Sequence, residues 1–150
     1  MPEPTTTDTD WTDPTCPVAR TLDVVGDRWS LLIIRDAMDG ARAFGDFQQS
    51  TGIARNILTD RLRRLVRHGL LDRKPGPSGR RHIYTLAPAG RDLFTVVVAL
   101  RQWGERHTFT PTEQHSVLVD EYGVPIPELQ PTSSTGQPVT PDTTTVQKIR

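Results

Sequence analysis

The sequence predicts a mainly helical α+β fold in which a short β-hairpin closes one end of a helical core. Three observations predict it. Residues 52–86 read as an amphipathic helix, a strand, a glycine-proline turn and a return strand. Short helical patterns precede that stretch, and a long apolar helix follows it. Arginines stand in every part of it. With Leu58 at zero on a wheel of roughly 100° per residue, Leu62, Leu65, Val66 and Gly69 fall within about 80° of it. Asn56, Asp60, Arg63, Arg64 and Arg67 take the opposite side, with Thr59 on the border. His68 and Gly69 end the helix as a cation followed by a glycine cap. Leu70 and Leu71 lead into Asp72-Arg73-Lys74, and the turn Pro75 to Gly79 can continue neither helix nor strand. Arg80 to Leu86 alternates as the return strand. A helix followed by a hairpin with a basic tip is the recognition helix and wing of a winged helix-turn-helix, and it points to DNA.

The other elements follow in order. Residues 1–14 are rich in Thr, Asp and Pro and read as a disordered acidic arm. Trp11 within it either docks on the body or stands idle. Structure begins at Cys16-Pro17, since proline suits the first helical position and leaves Cys16 as N-cap. Val18, Leu22 and Val25 are expected to face inward on a short helix that stops at Gly26. Asp27 caps a second helix, Arg28 to Asp39, which is apolar on two sides. Such a helix is central to a core or lies against a second subunit. Gly40 to Ala43 turns the chain and has room for a short strand. Phe44 to Ser50 forms a third helix with Phe44 and Phe47 inward. Thr51-Gly52-Ile53 is the tight link to the recognition helix. Ala54 stands where a capping Ser or Thr is expected, a loss of about 0.5–2 kcal/mol.

After the hairpin, Pro88 starts a helix expected to run to about His107. Leu93, Val96, Val97, Leu100 and Trp103 make a broad apolar stripe, with Phe94 and Val98 beside it. That is more apolar surface than a small winged helix covers, so the helix is expected to dimerise; closing its own domain is the alternative. Residues 15–109 are thus one DNA-binding and dimerisation domain. Residues 110–130 form a small extension, with a ribbon turning at Tyr122-Gly123 and limited to an edge by Pro125 and Pro127. Residues 131–150 are expected to be disordered.

Charge divides unevenly along the chain. The whole balances 18 basic against 18 acidic residues, but Cys16 to His107 holds 16 Lys/Arg and 9 Asp/Glu. A basic body with acidic tails suits a polyanion, although such clusters are often plain solvated faces. Sixteen arginines to two lysines reflects genomic base composition as readily as guanidinium chemistry. One cysteine excludes an intrachain disulfide framework. The acidic N-terminus lacks the apolar core of a signal peptide, and no apolar run reaches membrane-spanning length. A soluble, cytoplasmic protein is expected.

Several motifs in order then carry a resemblance. Cys16-Pro17-Val18, Leu22, Gly26-Asp27-Arg28-Trp29, Phe44-Gly45-Asp46-Phe47 and Gly52-Ile53 are followed by Leu58-Thr59-Asp60-Arg61-Leu62, Gly69-Leu70-Leu71 and Tyr84-Thr85-Leu86 with Gly90. Together they resemble the HxlR-type winged-helix regulators of the MarR-like superfamily, over roughly Cys16 to His107. The resemblance implies a homodimeric bacterial transcription factor dimerising through its first and last helices. It also implies that some members sense oxidants or electrophiles through the cysteine near the start. Ala54 departs from the family's usual Ser after Gly-Ile, and Ala87 from its usual Thr before Pro88. The first departure removes a cap and a phosphate contact and shifts affinity onto the arginines.

A helix in the major groove reads bases from its N-terminal part, while phosphate contacts set register. Asn56 matches adenine and Arg63 guanine, each worth about 1–3 kcal/mol of discrimination. Thr59 suits a phosphate or a thymine methyl, and Asp60 either accepts from cytosine or holds Arg64 one turn on. Arg55 and Arg42 are placed for phosphates. Arg80 and Arg81 on the wing suit the minor groove. Arg67, Arg73 and Lys74 are read as solvated surface. Cys16 has two readings. At a helix N-terminus near Arg20 it is placed as a redox switch; the plainer reading is a small residue that fixes the helix start. Trp29, Phe94 and Trp103 either enclose an apolar effector or are ordinary core.

An enzyme is not expected. There is no phosphate-binding glycine loop, no His pair at metal spacing and no nucleophile set. His68, His82, His107 and His115 are scattered, and one Cys among them makes no zinc site. No cofactor or metal is expected. The reading is a sequence-specific regulator, most simply a repressor released by an oxidant, electrophile or small molecule. Its operator would be pseudo-palindromic double-stranded DNA. The alternative is a winged-helix module that binds protein or RNA.

Overall fold

The computed structural model of the chain describes residues 10–149. It places helices α1 (Pro17–Val25), α2 (Ser30–Met38), α3 (Phe44–Thr51) and α4 (Arg55–Arg67) ahead of strands β1 (Leu71–Pro75) and β2 (His82–Leu86). Helices α5 (Pro88–Arg91) and α6 (Phe94–His107) follow, and a 3-10 turn spans Pro141–Thr143. The chain divides into two compact units, the first ending at Phe94 and the second beginning at Thr95. Most of the acidic arm, residues 1–9, lies outside the described residues, as does residue 150.

In the first unit, the stripe read from the sequence of α4 becomes the floor of the core. Leu58, Leu62 and Leu65 are buried there with Ile33 and Ile34 of α2, Phe47 of α3 and Ile53 of the link. Burying each such side chain stabilises by about 1.5–3 kcal/mol. The strands pair antiparallel with Leu71 opposite Leu86 and Pro75 opposite His82. The segment before α3 flanks β2: Ala43 bridges Ile83, and the Arg42 carbonyl accepts from the Tyr84 N–H at 2.8 Å. The short strand foreseen between Gly40 and Ala43 is thus an isolated bridge.

Four expectations change. Val25 is buried, but Val18 and Leu22 of α1 are exposed, so the predicted inward face is only its last turn. Helix α2 starts at Ser30 rather than Arg28, because the Asp27 carboxylate reaches forward to the N–H groups of Trp29 and Ser30. The return strand begins at His82, which leaves Arg80 and Arg81 in the turn. The helix expected from Pro88 to His107 is broken into α5 and α6. Gly90 of α5 is buried against the Leu70 carbonyl, closer than any Cβ would allow. Three residues on, the Leu93 N–H bonds to the Gly90 carbonyl in a tighter turn, and regular helix resumes at Phe94.

Residues 10–15 lie along α1. Thr12 donates through its N–H and hydroxyl to Asp23, and the Arg20 guanidinium sits 4.7 Å from the Trp11 ring centre. These two Thr12 bonds hold the Asp23 carboxyl below its ordinary value.

In the second unit, α6 presents Arg101, Gln102 and Arg106 to the segment that follows it. Arg101 donates to Ser116, Gln102 bonds to Pro127 and Leu129, and Arg106 pairs with Glu128 at 2.8 Å. A turn at Tyr122-Gly123 closes an isolated Val119–Pro125 bridge. Residues 131–149, expected to lack fixed structure, carry a similar turn with a Thr132–Pro138 bridge and the 3-10 turn. Their hydrogen bonds are local, and none of these residues is buried. Val96, Leu100 and Trp103 of α6 are exposed, whereas Val98 is buried and Val97 half-buried.

Candidate nucleic-acid interface

The helix-turn-helix is set by two local devices. Gly52 takes a left-handed φ of 69°, which ends α3 and reverses the chain. Ile53 then drops into the core at 2% exposure, while the Thr51 hydroxyl accepts its N–H at 3.3 Å. At the start of α3, Asp46 accepts from the N–H groups of Ala43 and Arg42 at 2.9 and 3.1 Å. Those bonds hold the Asp46 carboxyl below its ordinary value. Sequence reasoning quoted Asp46 without this role; its place three residues after Ala43 is the signal.

Helix α4 lies with its apolar stripe inward, so Arg55, Asn56, Thr59, Asp60, Arg63 and Arg67 are all exposed. Arg64 is half-buried at the border. Ala54 makes no side-chain cap, as expected. Arg55 is steadied by the Phe44 ring, 4.9 Å away, and the Thr59 hydroxyl donates to the Arg55 carbonyl at 2.9 Å. Thr59 therefore offers its methyl and its oxygen lone pairs outward, not its hydroxyl proton. Asp60 does not hold Arg64. It pairs instead with the adjacent Arg61, whose Nη1 lies 2.6 Å away.

Arg61 is the residue that sequence reasoning passed over. Its Nε also donates to Asp27 at 2.8 Å, tying α4 to the start of α2. Burial raises the Asp27 carboxyl, but hydrogen bonds from Ser30, Arg61 and the Trp29 N–H, with the Arg61 charge, outweigh it. The carboxyl ends below its ordinary value. The bond to Asp27 correspondingly raises Arg61. Both residues stood in the quoted motifs, and only their pairing across 34 positions was invisible.

At the wing tip Gly79 takes a φ of 70°, and its N–H bonds to the Gly76 carbonyl at 2.9 Å. Arg80 and Arg81 stand exposed in this turn. Arg73 of β1 reaches His82 of β2, with Nη2 and Nδ1 2.9 Å apart, so Arg73 is fixed within the wing. Arg42 is exposed beside β2. Among the described residues, none of Arg42, Arg55, Arg63, Arg64, Arg80 and Arg81 takes part in an ion pair. Unpaired guanidinium groups on the helix and the wing are what a phosphate backbone requires.

The HxlR-like helix-turn-helix family model matches residues 24–111. The chain belongs to that family. Rv3095, an HTH-type transcriptional regulator of Mycobacterium tuberculosis, is 50% identical over 95 residues, 63% of this chain and 60% of the relative. The match thus spans about three fifths of that relative's length. The crystal structure of PA1607, described as a transcription factor, matches with a TM-score of 0.85 at 49% identity, over 89% of this chain and 95% of that one. The redox regulator HypR in its oxidized form matches with a TM-score of 0.58 at 31% identity, over 63% and 100%. The winged helix-turn-helix read from the family's motifs is therefore the observed fold. No helix among the described residues is long and apolar enough to cross a membrane.

Proposed function

We propose that this chain is a transcriptional regulator that binds a specific double-stranded DNA operator as a homodimer. The exposed, cation-rich face of α4 beside a wing with exposed Arg80 and Arg81 carries the reading. In it α4 enters the major groove. Asn56 and Arg63 read base edges, Thr59 and Asp60 add contacts near the start of the helix, Arg55, Arg64 and Arg42 take phosphates, and the wing flanks the minor groove. Dimerisation through α1 and α6 is supported by the exposed Val18 and Leu22 on one helix and Val96, Leu100 and Trp103 on the other. Trp29, Leu93 and Val97 are half-buried, with Trp29 and Leu93 packed on the core; they serve the interface from its edge. Fluorescence anisotropy on DNA from the gene's own upstream region tests the reading. Tight binding that weakens steeply with salt is expected, and no binding at low salt would favour a protein or RNA partner.

Release by an oxidant or electrophile is supported by Cys16. It is a free, half-buried thiol whose Sγ accepts the Ala19 N–H at 3.4 Å as the cap of α1. Arg20 is directed to the arm, with Nε 2.8 Å from the Pro14 carbonyl. Oxidation of Cys16 would strip the cap from the helix assigned to the dimer. HypR, a redox regulator with the same fold, favours this release over a purely structural Cys16.

A further inference from the structure

Arg73, read from the sequence as solvated surface, is bound to a histidine at the open end of the wing. In the ladder Arg73 stands opposite Tyr84, and His82 lies two residues before Tyr84 on the same strand. Arg73 and His82 are therefore diagonal neighbours on one face of the hairpin. Their contact runs from Nη2 to Nδ1 at 2.9 Å. A guanidinium has donors and no acceptor, so Nδ1 accepts and the ring proton sits on Nε2. That Nε2–H has no hydrogen-bond partner among the described residues. His82 is exposed, as are Arg80 and Arg81 just before it. The backbone that carries the ring is held on both sides. The Gly76 N–H bonds to the Arg81 carbonyl, and the Tyr84 ring meets Phe47 of α3 edge-on at 6.4 Å between centres.

We propose that His82 is a minor-groove contact of the wing, that Arg73 positions it, and that the pair selects A·T base pairs beside the sites met by α4. This rests on the DNA-binding reading. The ring of His82 and the guanidinium groups of Arg73, Arg80 and Arg81 then all act as donors, while Asp72 faces the other side of the hairpin, opposite Thr85. The floor of the minor groove at A·T pairs carries acceptors alone, adenine N3 and thymine O2. A G·C pair adds the guanine N2 amino group, a donor that would face a donor. Tracts of A·T also narrow the groove and deepen its negative potential, which favours arginine and histidine. A histidine free to choose its tautomer could turn an acceptor to guanine N2. The bond to Arg73 removes that option.

Long-range proton–nitrogen NMR of the full chain at pH 8 tests the pair without DNA, with His82→Gln assigning the ring. Nε2 is expected to carry the proton in wild-type protein, and Arg73→Ala to give a mixture of the two tautomers. A proton on Nδ1, or the same mixture in both proteins, overturns the pairing. Competition anisotropy then uses upstream duplexes whose base pairs beside the α4 contacts, located by hydroxyl-radical footprinting, are A·T, G·C or inosine·C. Inosine lacks the N2 amino group, so its pair with C keeps the major groove of G·C and presents a minor groove like that of A·T. Wild-type protein is expected to favour A·T and inosine·C over G·C about fivefold. Both side chains are exposed, so their replacement leaves the core intact. His82→Ala and Arg73→Ala are expected to lose most of the preference, and His82→Gln, whose amide keeps a donor, to recover part of it. A preference that His82→Ala keeps in full, or inosine·C as poor as G·C, overturns the groove contact. Equal weakening of all three duplexes by His82→Ala would make His82 a phosphate contact and overturn the A·T selection. A chain that binds none of the duplexes at low salt fails the DNA-binding reading itself, and this inference with it.

Discussion

Arg61 on α4 donates through Nε to the Asp27 carboxylate at the start of α2, 2.8 Å away. Asp27 also accepts from the Ser30 hydroxyl and from the N–H groups of Trp29 and Ser30. One carboxylate thus caps one helix and anchors another. Because Arg61 leaves α4 on the side away from Asn56 and Arg63, the bond fixes the rotation of α4 about its own axis. The angle at which the face bearing Asn56 and Arg63 is presented is set from behind.

Asp27→Asn should therefore cost about 2 kcal/mol near neutral pH, the usual worth of a charge-assisted hydrogen bond in a partly buried site. The folded carboxyl lies below its ordinary value. Its contribution is then present above the unfolded pKa of about 4 and is lost as pH falls through the lower folded value. Urea unfolding at pH 7 and pH 3 measures this. The gap between wild type and variant should narrow at pH 3, and a constant gap would show that the cap rather than the charge matters.

Arg63 and Arg80 are both exposed and outside every ion pair among the described residues, yet they should behave differently. Arg63→Ala should relax discrimination at one base position by about 1–3 kcal/mol. Arg80→Ala should weaken operator and random DNA alike and lower the salt slope by about one. Competition anisotropy at several salt concentrations separates the two. Equal losses on every sequence for both variants would reject the assignment.

The helix and hairpin were legible because the stripe on Leu58, Leu62 and Leu65 and the turn at Gly76 and Gly79 are short-range patterns. So were the N-cap at Cys16 and the missing cap at Ala54. What sequence reasoning missed is long-range. It placed Val18 and Leu22 inward because an apolar stripe does not say whether its partner lies in the same chain. Helical spacing offered Arg64 as one of two partners for Asp60, beside cytosine, whereas Arg61 lies against Asp60 and Asp27 together. It ran one helix from Pro88 because the apolar pattern continues through Leu93. The break reflects the seating of Gly90 on Leu70, a contact with no local signature.

That seating gives a further prediction. A Cβ at Gly90 would overlap the Leu70 carbonyl, which is backbone and accepts the Ala87 N–H at 3.0 Å. Gly90→Ala should destabilise by about 1–3 kcal/mol, as overpacking does, although alanine is the better helix former. Thermal unfolding by circular dichroism decides it. A stabilised variant would mean that α5 moves freely off Leu70.

Cys16→Ser keeps a capping oxygen for the Ala19 N–H, so reduced protein should bind DNA as before. A thiol oxidant should release wild-type protein from its operator at least tenfold and leave the variant bound. If oxidised wild type binds undiminished, Cys16 is a structural cap, and effector control passes to another site.

Val18 and Leu22 on α1 are 67% and 58% exposed, and Leu100 and Trp103 on α6 are 52% and 57% exposed. Side chains of this size at helical spacing are rarely left to water on a monomer, and aromatic anchors dominate most interfaces. Sedimentation at micromolar concentration should show a dimer, and Leu100→Glu should give a folded monomer, because a charge placed in an apolar interface finds no partner. A monomer spans a single half-site, so its operator affinity should fall towards that for random DNA, while a dimer reads two half-sites about one helical turn apart. A wild-type chain that sediments as a monomer would refute the interface. In that case the exposed stripe on α6 would belong to some other contact, and the operator need have no symmetry.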